Sequence, residues 1–439
     1  MNAPEPSSDV PLDLLIIGAG IGGVMSLYYA RKAGLNALLV ERQNVVGGLW
    51  ATLPPWQDIQ FGRCDWTLGD LPIAGEDQAS IRDNIQAWVE RFGLASSMRL
   101  GIEVTRASRI GDEWVVETAE STFRAKHLIS ATGAHNRPFI PEPERESVTL
   151  RELHSSQLRE ASDLRGRDVV VVGGGASAYD LLDLCFEHEA RRVIWVYRNP
   201  RWMMPSLKPK NEAGSPRRMA KAQMEGASVD QLSVGFHAEL VARYAKFGLQ
   251  DIQPEDAFDL GRHQLIPARW RMIGNFPKIE RHRAEVARIQ GRTVTLSTGE
   301  TVDADLLLWG TGYEIDLSFF ANEALSGIRR HEELVAQCGC GVLAMSEPGL
   351  YFLAAGLEST GVAPWSYAML ARTLMSHLRG EATLEPVPLT RKINHFHYVP
   401  FLAARDPVNF PAGRWEEEFR QLALLHPPFE PLPIPDWTR

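Results

Sequence analysis

The 439-residue sequence predicts an α/β fold built on two parallel sheets, and three observations carry that prediction. A short apolar strand, a glycine-rich turn, a helix and a second strand follow one another around Gly18. The same order returns around Gly173. Further along from each unit, a hairpin pattern leads into a buried strand that ends in a Thr-Gly pair, Thr132-Gly133 and Thr311-Gly312. Strand, turn, helix and strand within ~30 residues form the βαβ unit of a parallel sheet.

The length exceeds what one hydrophobic core usually organises, so two domains, or one domain inserted in another, fit it. With 44% hydrophobic and 23% charged residues, the chain is neither disordered nor collagen-like. A formal net charge of -9 argues against a broad nucleic-acid-binding surface. Cys64, Cys185, Cys338 and Cys340 are too few and too scattered for a disulfide scaffold, which fits a reducing compartment. The polar, proline-bearing N-terminus lacks the pattern of a signal peptide, and no window approaches ~18 apolar residues. The expectation is a cytoplasmic protein with no membrane partner and no metal site.

In the first unit, Leu12 to Ile17 reads as a strand, Val24 to Ala33 as a helix with Gly34 as its C-cap glycine, and Ala37 to Val40 as the second strand. Glu113 to Thr118 and Thr122 to Ala125 read as an antiparallel pair, followed by His127 to Ser130. In the second unit, Asp168 to Val172 is the strand, Tyr179 to His188 the helix and Arg192 to Tyr197 the next strand. A hairpin around Thr298-Gly299 then precedes the strand Asp305 to Trp309. The stretch from Pro205 to Arg262 reads as a largely helical insert, with Leu240, Val241, Tyr244 and Phe247 on one face of a helix from His237 to Phe247.

The glycines carry chemistry. Gly18 permits a tight turn, Gly20 lets the backbone approach a pyrophosphate, and Gly23 lets helix pack on strand. The helix N-terminus then offers unpaired N–H groups to phosphate. Glu41, at the end of the second strand, is placed to accept both ribose hydroxyls. In the second unit Gly173 and Gly175 match, Ser177 follows, and Ala178 replaces the third glycine. The position equivalent to Glu41 is Val196, and Arg198 and Arg201 lie just beyond it. A carboxylate there would repel a 2′-phosphate, whereas a guanidinium pairs with one. One site therefore reads as FAD and the other as NADPH. A disulfide reductase would need a redox-active cysteine pair, and Cys338-Gly339-Cys340 is a poor one; oxygen is the expected acceptor.

At these motifs the chain resembles the flavin-containing monooxygenases and their Baeyer–Villiger relatives. Gly18 through Gly23 with Glu41 resembles their FAD fingerprint, and Gly47-Gly48-Leu49-Trp50 their GG-x-W element. Ala131-Thr132-Gly133 and Gly310-Thr311-Gly312-Tyr313 resemble two interdomain hinges, although the second usually begins with Ala. The family's identifying stretch is reduced here to His154. The resemblance implies two Rossmann-like dinucleotide-binding domains, the NADPH domain inserted into a discontinuous FAD domain. Residues 1–155 and 313–439 are expected to form the FAD domain and 156–312 the NADPH domain. Implied cofactor contacts are Gly18, Gly20, Gly23, Glu41, Gly48, Leu49, Trp50, Val104, Thr132 and Gly133 for FAD. For NADPH they are Gly173, Gly175, Ser177, Ala178, Arg198 and Arg201, with Gly310, Thr311, Gly312 and Tyr313 at the second hinge.

The implied reaction is oxygenation of a small organic substrate by a flavin hydroperoxide, with molecular oxygen consumed and an amine or sulfide favoured as substrate. Baeyer–Villiger oxygenation of a ketone would need an electrostatic clamp, for which Arg63 is a candidate. Gln60 is the candidate amide beside the flavin, and His154 is a third candidate catalytic group. Trp309 is expected to face substrate or flavin. Rival readings are an NADPH-dependent flavin oxidase or reductase, a flavin halogenase using Lys208 or Lys210, and a non-catalytic NADPH or redox sensor. Oligomeric state is open, and a homodimer is compatible with everything above.

Overall fold

The computed structural model describes residues 12–59, 71, 73–207, 228–267, 269–339, 342–353 and 363–384. In the first unit, β1 (Leu12–Ile17) and β2 (Ala37–Glu41) flank α1 (Ile21–Lys32). From Leu14 on, the apolar residues of these strands are buried, as central parallel strands covered on both faces require. Helix α2 (Gln78–Arg91) starts at Asp77, whose carboxylate accepts the Ser80 N–H at 3.0 Å. Then come β3 (Met98–Leu100), β4 (Val104–Ile110), β5 (Glu113–Thr118) and β6 (Thr122–Ser130). The two short stretches expected after Glu113–Thr118 are thus one strand. β6 pairs antiparallel with β5 at its start (Trp114↔Ala125) and parallel with β1 towards its end (Ile17↔Ser130).

The chain then leaves this sheet through β7 (Arg137–Pro138) and β8 (Glu144–Glu146) and builds a second one. That sheet uses β9 (Arg151–His154), β10 (Asp168–Val172), then α3 (Ala176–Glu187) and β11 (Arg192–Tyr197). The insert contains α4 (Val229–Lys246) and is flanked by the paired strands β12 (Met203–Met204) and β13 (Ile266–Pro267), and α5 (Trp270–Gly274) follows. Next are β14 (Glu280–Arg283), β15 (Val286–Gln290), β16 (Thr293–Leu296), β17 (Thr301–Asp303), β18 (Leu306–Trp309) and β19 (Tyr313–Glu314). Finally β20 (Cys338–Gly339), β21 (Leu343–Ala344), β22 (Leu350–Phe352) and α6 (Ala363–Leu378) rejoin the first unit.

The first sheet runs β20-β21-β22-β6-β1-β2-β3, with β5 and β4 continuing from β6. The second runs β14-β11-β10-β18-β9, all parallel, and is made wholly of chain lying between β6 and β20. One αβ unit is therefore inserted into another. The outgoing and returning segments run side by side, with β7 antiparallel to β19 and the Phe139 N–H donating to the Gly312 carbonyl at 3.0 Å. Helices α1, α2 and α6 cover one face of the first sheet; α3 and the insert cover one face of the second, and the β8/β15–β17 sheet covers its other face.

Three expectations change. The insert helix begins at Val229, capped reciprocally by Ser228 and Gln231, rather than at His237. Its buried stripe contains Leu240 and Tyr244, while Val241, one residue or ~100° round the helix, is exposed. Trp309 is 1% exposed within β18 and donates to Glu152 Oε2 at 3.1 Å, so it faces core rather than a cleft.

Candidate functional site

The two glycine turns have the same architecture. In the first, the Gly18 N–H donates to Val40 O and the Ala131 N–H to Ile17 O, both at 2.8 Å. In the second, the Gly173 N–H donates to Val196 O at 2.9 Å and the Gly310 N–H to Val172 O at 2.8 Å. Gly18 and Gly173 have φ of 106° and 135°, a region open mainly to glycine. A β-carbon on Gly18 would stand 2.5 Å from Ala131 O, and one on Gly173 2.2 Å from Gly310 O. The middle glycines differ: a β-carbon on Gly20 or Gly175 meets nothing closer than 3.6 Å and 3.8 Å respectively. Packing therefore does not demand glycine there, but close approach of a ligand's backbone-sized group does.

Gly20 and Gly175 are also the N-caps of α1 and α3. Neither has a side-chain cap, and neither helix carries an acid in its first turn. Both helix ends thus keep N–H donors and partial positive charge aimed where a pyrophosphate would sit. Ser177 lies in the first turn of α3, and Ala178 is fully buried beneath it.

Around the first turn, Gly48 presses on Gly20: a β-carbon at Gly48 would lie 2.8 Å from Gly20 Cα. The Gly47 N–H donates to Ala19 O at 2.9 Å, which seats the turn Leu49–Thr52 beside the glycine loop. Trp50 packs on the core of this unit, and its carbonyl accepts from the Gln78 amide. Glu41 is buried at the end of β2, with Oε2 accepting the Ala19 N–H at 2.6 Å and Oε1 the Gln43 N–H at 2.8 Å. Each oxygen keeps a further lone pair for a ribose hydroxyl. Val104 opens β4, two residues beyond Ile102, whose N–H donates to Glu41 O at 2.8 Å. Thr132 and Gly133 follow β6, the Thr132 hydroxyl lying 3.2 Å from that of Ser130. This set fits an FAD-sized dinucleotide.

Around the second turn, Arg198 is exposed and ion-paired with Glu285 at 3.0 Å. Arg201 lies against Gly175, and its N–H donates to Gly174 O at 2.8 Å. Beside them opens a cavity of about 310 Å³ lined by Tyr197, Arg201, Trp202, Asp251, Glu255 and Arg283 among others. Arg283 was not foreseen. It arrives from β14, where it pairs in register with Tyr197, and donates to Arg198 O at 3.1 Å and Glu255 at 2.7 Å. Of the three arginines near the end of β11, Arg201 and Arg283 line this cavity together with Asp251, Glu255 and Asp256, while the Arg198 guanidinium pairs with Glu285.

The hinge residues meet His154. Its Nε2–H donates to Gly312 O at 2.9 Å, and its Nδ1 accepts the Ser156 N–H at 3.2 Å, which assigns the neutral tautomer. Burial lowers its pKa against the opposing Gly312 hydrogen bond. Its ring stands edge-on to Tyr313 at 5.1 Å, and the Thr311 hydroxyl donates to Phe139 O. His154 is fully buried, with both nitrogens engaged in holding the linker.

Between the units lies a buried charge cluster that the sequence did not announce. Arg269 Nε donates to Asp180 Oδ1 at 2.5 Å, and its Nη1 to Asp58 Oδ1 at 3.4 Å. Asp180 belongs to α3 of the second unit; Asp58 lies on the segment that follows Gly47–Thr52 of the first. Gln57 donates to Asp180 Oδ2 at 3.0 Å, and Trp56 Nε1 to Leu158 O at 2.5 Å, so the same segment docks on the inserted unit. Burial disfavours the Arg269 charge, but Asp180 and Asp58 more than offset it, so the guanidinium stays charged. Gln60, Arg63, Lys208, Lys210 and Cys340 lie outside the described residues. Cys185 and Cys338 are buried thiols whose pKa burial pushes up to about 12, far from the reactive thiolate range. No described helix is long and apolar enough to cross a membrane, and no metal-ligating cluster occurs among the described residues.

The family model described as pyridine nucleotide-disulphide oxidoreductase matches residues 15–239, just over half of the chain. A Baeyer-Villiger monooxygenase of Streptomyces coelicolor is 22% identical over 340 residues, covering 68% of this chain and 64% of that protein. The chain spans about half to two thirds of the length of the curated relatives it matches. Among solved structures, OTEMO in complex with FAD and NADP matches with a TM-score of 0.64 at 16% identity, over 84% of each chain. The open structure of cyclohexanone monooxygenase matches with the same TM-score at 16% identity, over 84% of this chain and 88% of that one. These matches show the fold, an αβ unit inserted into another.

Proposed function

Because the chain belongs to the pyridine nucleotide-disulphide oxidoreductase family, we propose that it is an FAD-containing, NADPH-dependent monooxygenase that oxygenates a small organic substrate. The observation that carries this reading is the pair of equivalent glycine cradles joined across their interface by a buried, charged Arg269. The first unit is assigned to FAD binding and the inserted unit to NADPH binding, with the boundary moved from residue 155 back to the segment before β8, because β8 and β9 pair within the inserted unit. Glu41 orients the FAD ribose, while Arg198, Arg201 and Arg283 read the 2′-phosphate of NADPH. The bound cofactors supply electron transfer and oxygen activation. The chain's own task is to position them and keep a water-poor cleft between them.

Substrate class turns on Arg269. Amine or sulfide oxygenation asks little of protein side chains, and the motifs alone favour it. Insertion of oxygen beside a carbonyl requires a fixed cation that holds developing negative charge in a dry site. A guanidinium 11% exposed and fixed by two carboxylates supports this Baeyer–Villiger reading, and the Streptomyces relative bears that name. Arg269 takes the role for which Arg63 was the sequence candidate.

The test is product analysis with labelled oxygen on FAD-loaded protein supplied with NADPH and separate panels of ketones, sulfides and amines. An ester or lactone carrying label is the expected product, and Arg269→Met is expected to lower its rate about 100-fold or more. Hydrogen peroxide alone with every panel rejects the monooxygenase. Sulfoxide or N-oxide without ester restores the heteroatom reading.

A further inference from the structure

We propose that Asp180 is a positioning residue that sets the orientation of Arg269, and through it the oxygenation step. The proposal rests on the reading of Arg269 given above. Its basis is an asymmetry in how the guanidinium is held. Asp180 has a side chain 6% exposed and meets Arg269 Nε at 2.5 Å, while Asp58 is 34% exposed and reaches Nη1 only at 3.4 Å. The strong, dry contact is therefore with the inserted unit, and the looser, wetter one with the first. Asp180 itself is fixed from the other side, because its Oδ2 accepts the Gln57 amide at 3.0 Å. With one oxygen on Arg269 and the other on Gln57, this carboxylate is engaged on both sides and acts through its neighbours.

The consequence is directional. A guanidinium is a rigid plane, so pinning Nε fixes where the remaining N–H groups point. Among the described residues, Nη2 has no acceptor, and it is the donor left for a substrate-derived oxyanion. Asp180 sits three residues after Ser177, on the helix whose N-terminus forms the second cradle. Arg269 is consequently indexed to the nicotinamide-side unit, and its aim follows that helix rather than the flavin-side segment.

The experiment is a double-mutant cycle on FAD-loaded protein with Asp180→Asn, Arg269→Met and both together. Three quantities are read for each: kcat and KM for a ketone, hydrogen peroxide released per NADPH, and NADP+ affinity by equilibrium dialysis. Asp180→Asn is expected to lower kcat on the order of 10- to 100-fold with KM little changed, because misaimed groups cost rate before binding. Peroxide release should rise, NADP+ affinity should hold, and the substitution should add nothing in the Arg269→Met background. Parallel loss of NADP+ affinity and kcat would mean a merely structural ion pair. Independent, additive losses in the cycle would likewise overturn the proposal. Should Asp180→Asn fail to fold, Gln57→Ala removes one hydrogen bond from Asp180, and a loss in kcat of about 3-fold in the same direction is expected; unchanged kcat there overturns it. A wild-type protein that makes no ester refutes the reading of Arg269, whereas ester formation lost in Arg269→Met but intact in Asp180→Asn refutes only the role of Asp180.

Discussion

The two glycine cradles close the same helix-to-strand approach with different residues. In the first, the helix residue is Gly23 and the residue after β6 is Ala131; in the second the helix residue is Ala178 and the residue after β18 is Gly310. A β-carbon on Gly23 would fall 1.8 Å from Gly18 O and 3.4 Å from the Ala131 β-carbon. One on Gly310 would fall 2.7 Å from Ala178 Cα and 3.0 Å from its β-carbon. In the first cradle the obstacle is the Gly18 carbonyl and in the second the Ala178 backbone, so in both the helix and strand end approach too closely for a β-carbon on the glycine. Gly310, where related hinges usually have Ala, faces the Ala178 backbone at a distance that leaves no room for a β-carbon.

The sharpest way to break that comparison is to supply a methyl at either glycine. Gly23→Ala is expected to cost about 3 kcal/mol or more, since the clash is with backbone that cannot rotate away. Urea unfolding and retained flavin would register it. Gly310→Ala should be comparably severe, and adding Ala178→Gly should rescue it only in part. The double change removes the β-carbon contact at 3.0 Å but leaves the 2.7 Å approach to Ala178 Cα. Full rescue would mean the units are interchangeable, and a harmless Gly310→Ala would mean the contact is not tight.

Both cradles were legible in the sequence because their signals are local: apolar strands, glycines at fixed offsets and a helix behind them. The close approach of Ala178 to Gly310 was not, since it joins residues far apart in sequence. Arg269 was invisible for the same reason. Its partners lie 89 and 211 positions away, and nothing in Pro267-Ala268-Arg269-Trp270 marks a buried cation. Trp309 misled because a central parallel strand is buried on both faces, so no alternation reveals which way a residue points. The start of α4 was legible and missed: Ser228 followed three residues later by Gln231 is a capping box.

The ends of the second strands differ next. Glu41 is 7% exposed and caps the buried Ala19 N–H, whereas Arg198 has a side chain 71% exposed. Glu41→Ala strands a buried donor, at about 2 kcal/mol, and should weaken FAD affinity about 30-fold by equilibrium dialysis. Arg198→Ala gives up only an exposed pair with Glu285, so unfolding should shift by less than about 1 kcal/mol. Its effect belongs to the ligand: the KM for NADPH should rise about 10-fold while that for NADH holds. Equal changes for both nucleotides would remove Arg198 from the 2′-phosphate site and leave Arg201 and Arg283.

The hinges differ least, and only in one proton. Asn136 ties Thr132 O to Asp316 at the first, without a titratable group, while the second is held at Gly312 by His154. Burial lowers the His154 pKa, so the fold holds the neutral ring and protonation must break either the Nδ1 contact or the burial. Stability is therefore complete above the unfolded-state value of about 6.5 and is lost as pH falls below it towards the lower folded-state value. His127 and His377 are also lowered by burial, so they add to the slope over the same range. The informative quantity is a difference. His154→Gln, with an amide that can still donate to Gly312 O, should be less stable than wild type at pH 7.5, and the gap should narrow by pH 5.5. Urea midpoints at the two pH values measure it. A gap that does not change with pH would show that His154 holds its hinge by shape alone, as Asn136 does the other.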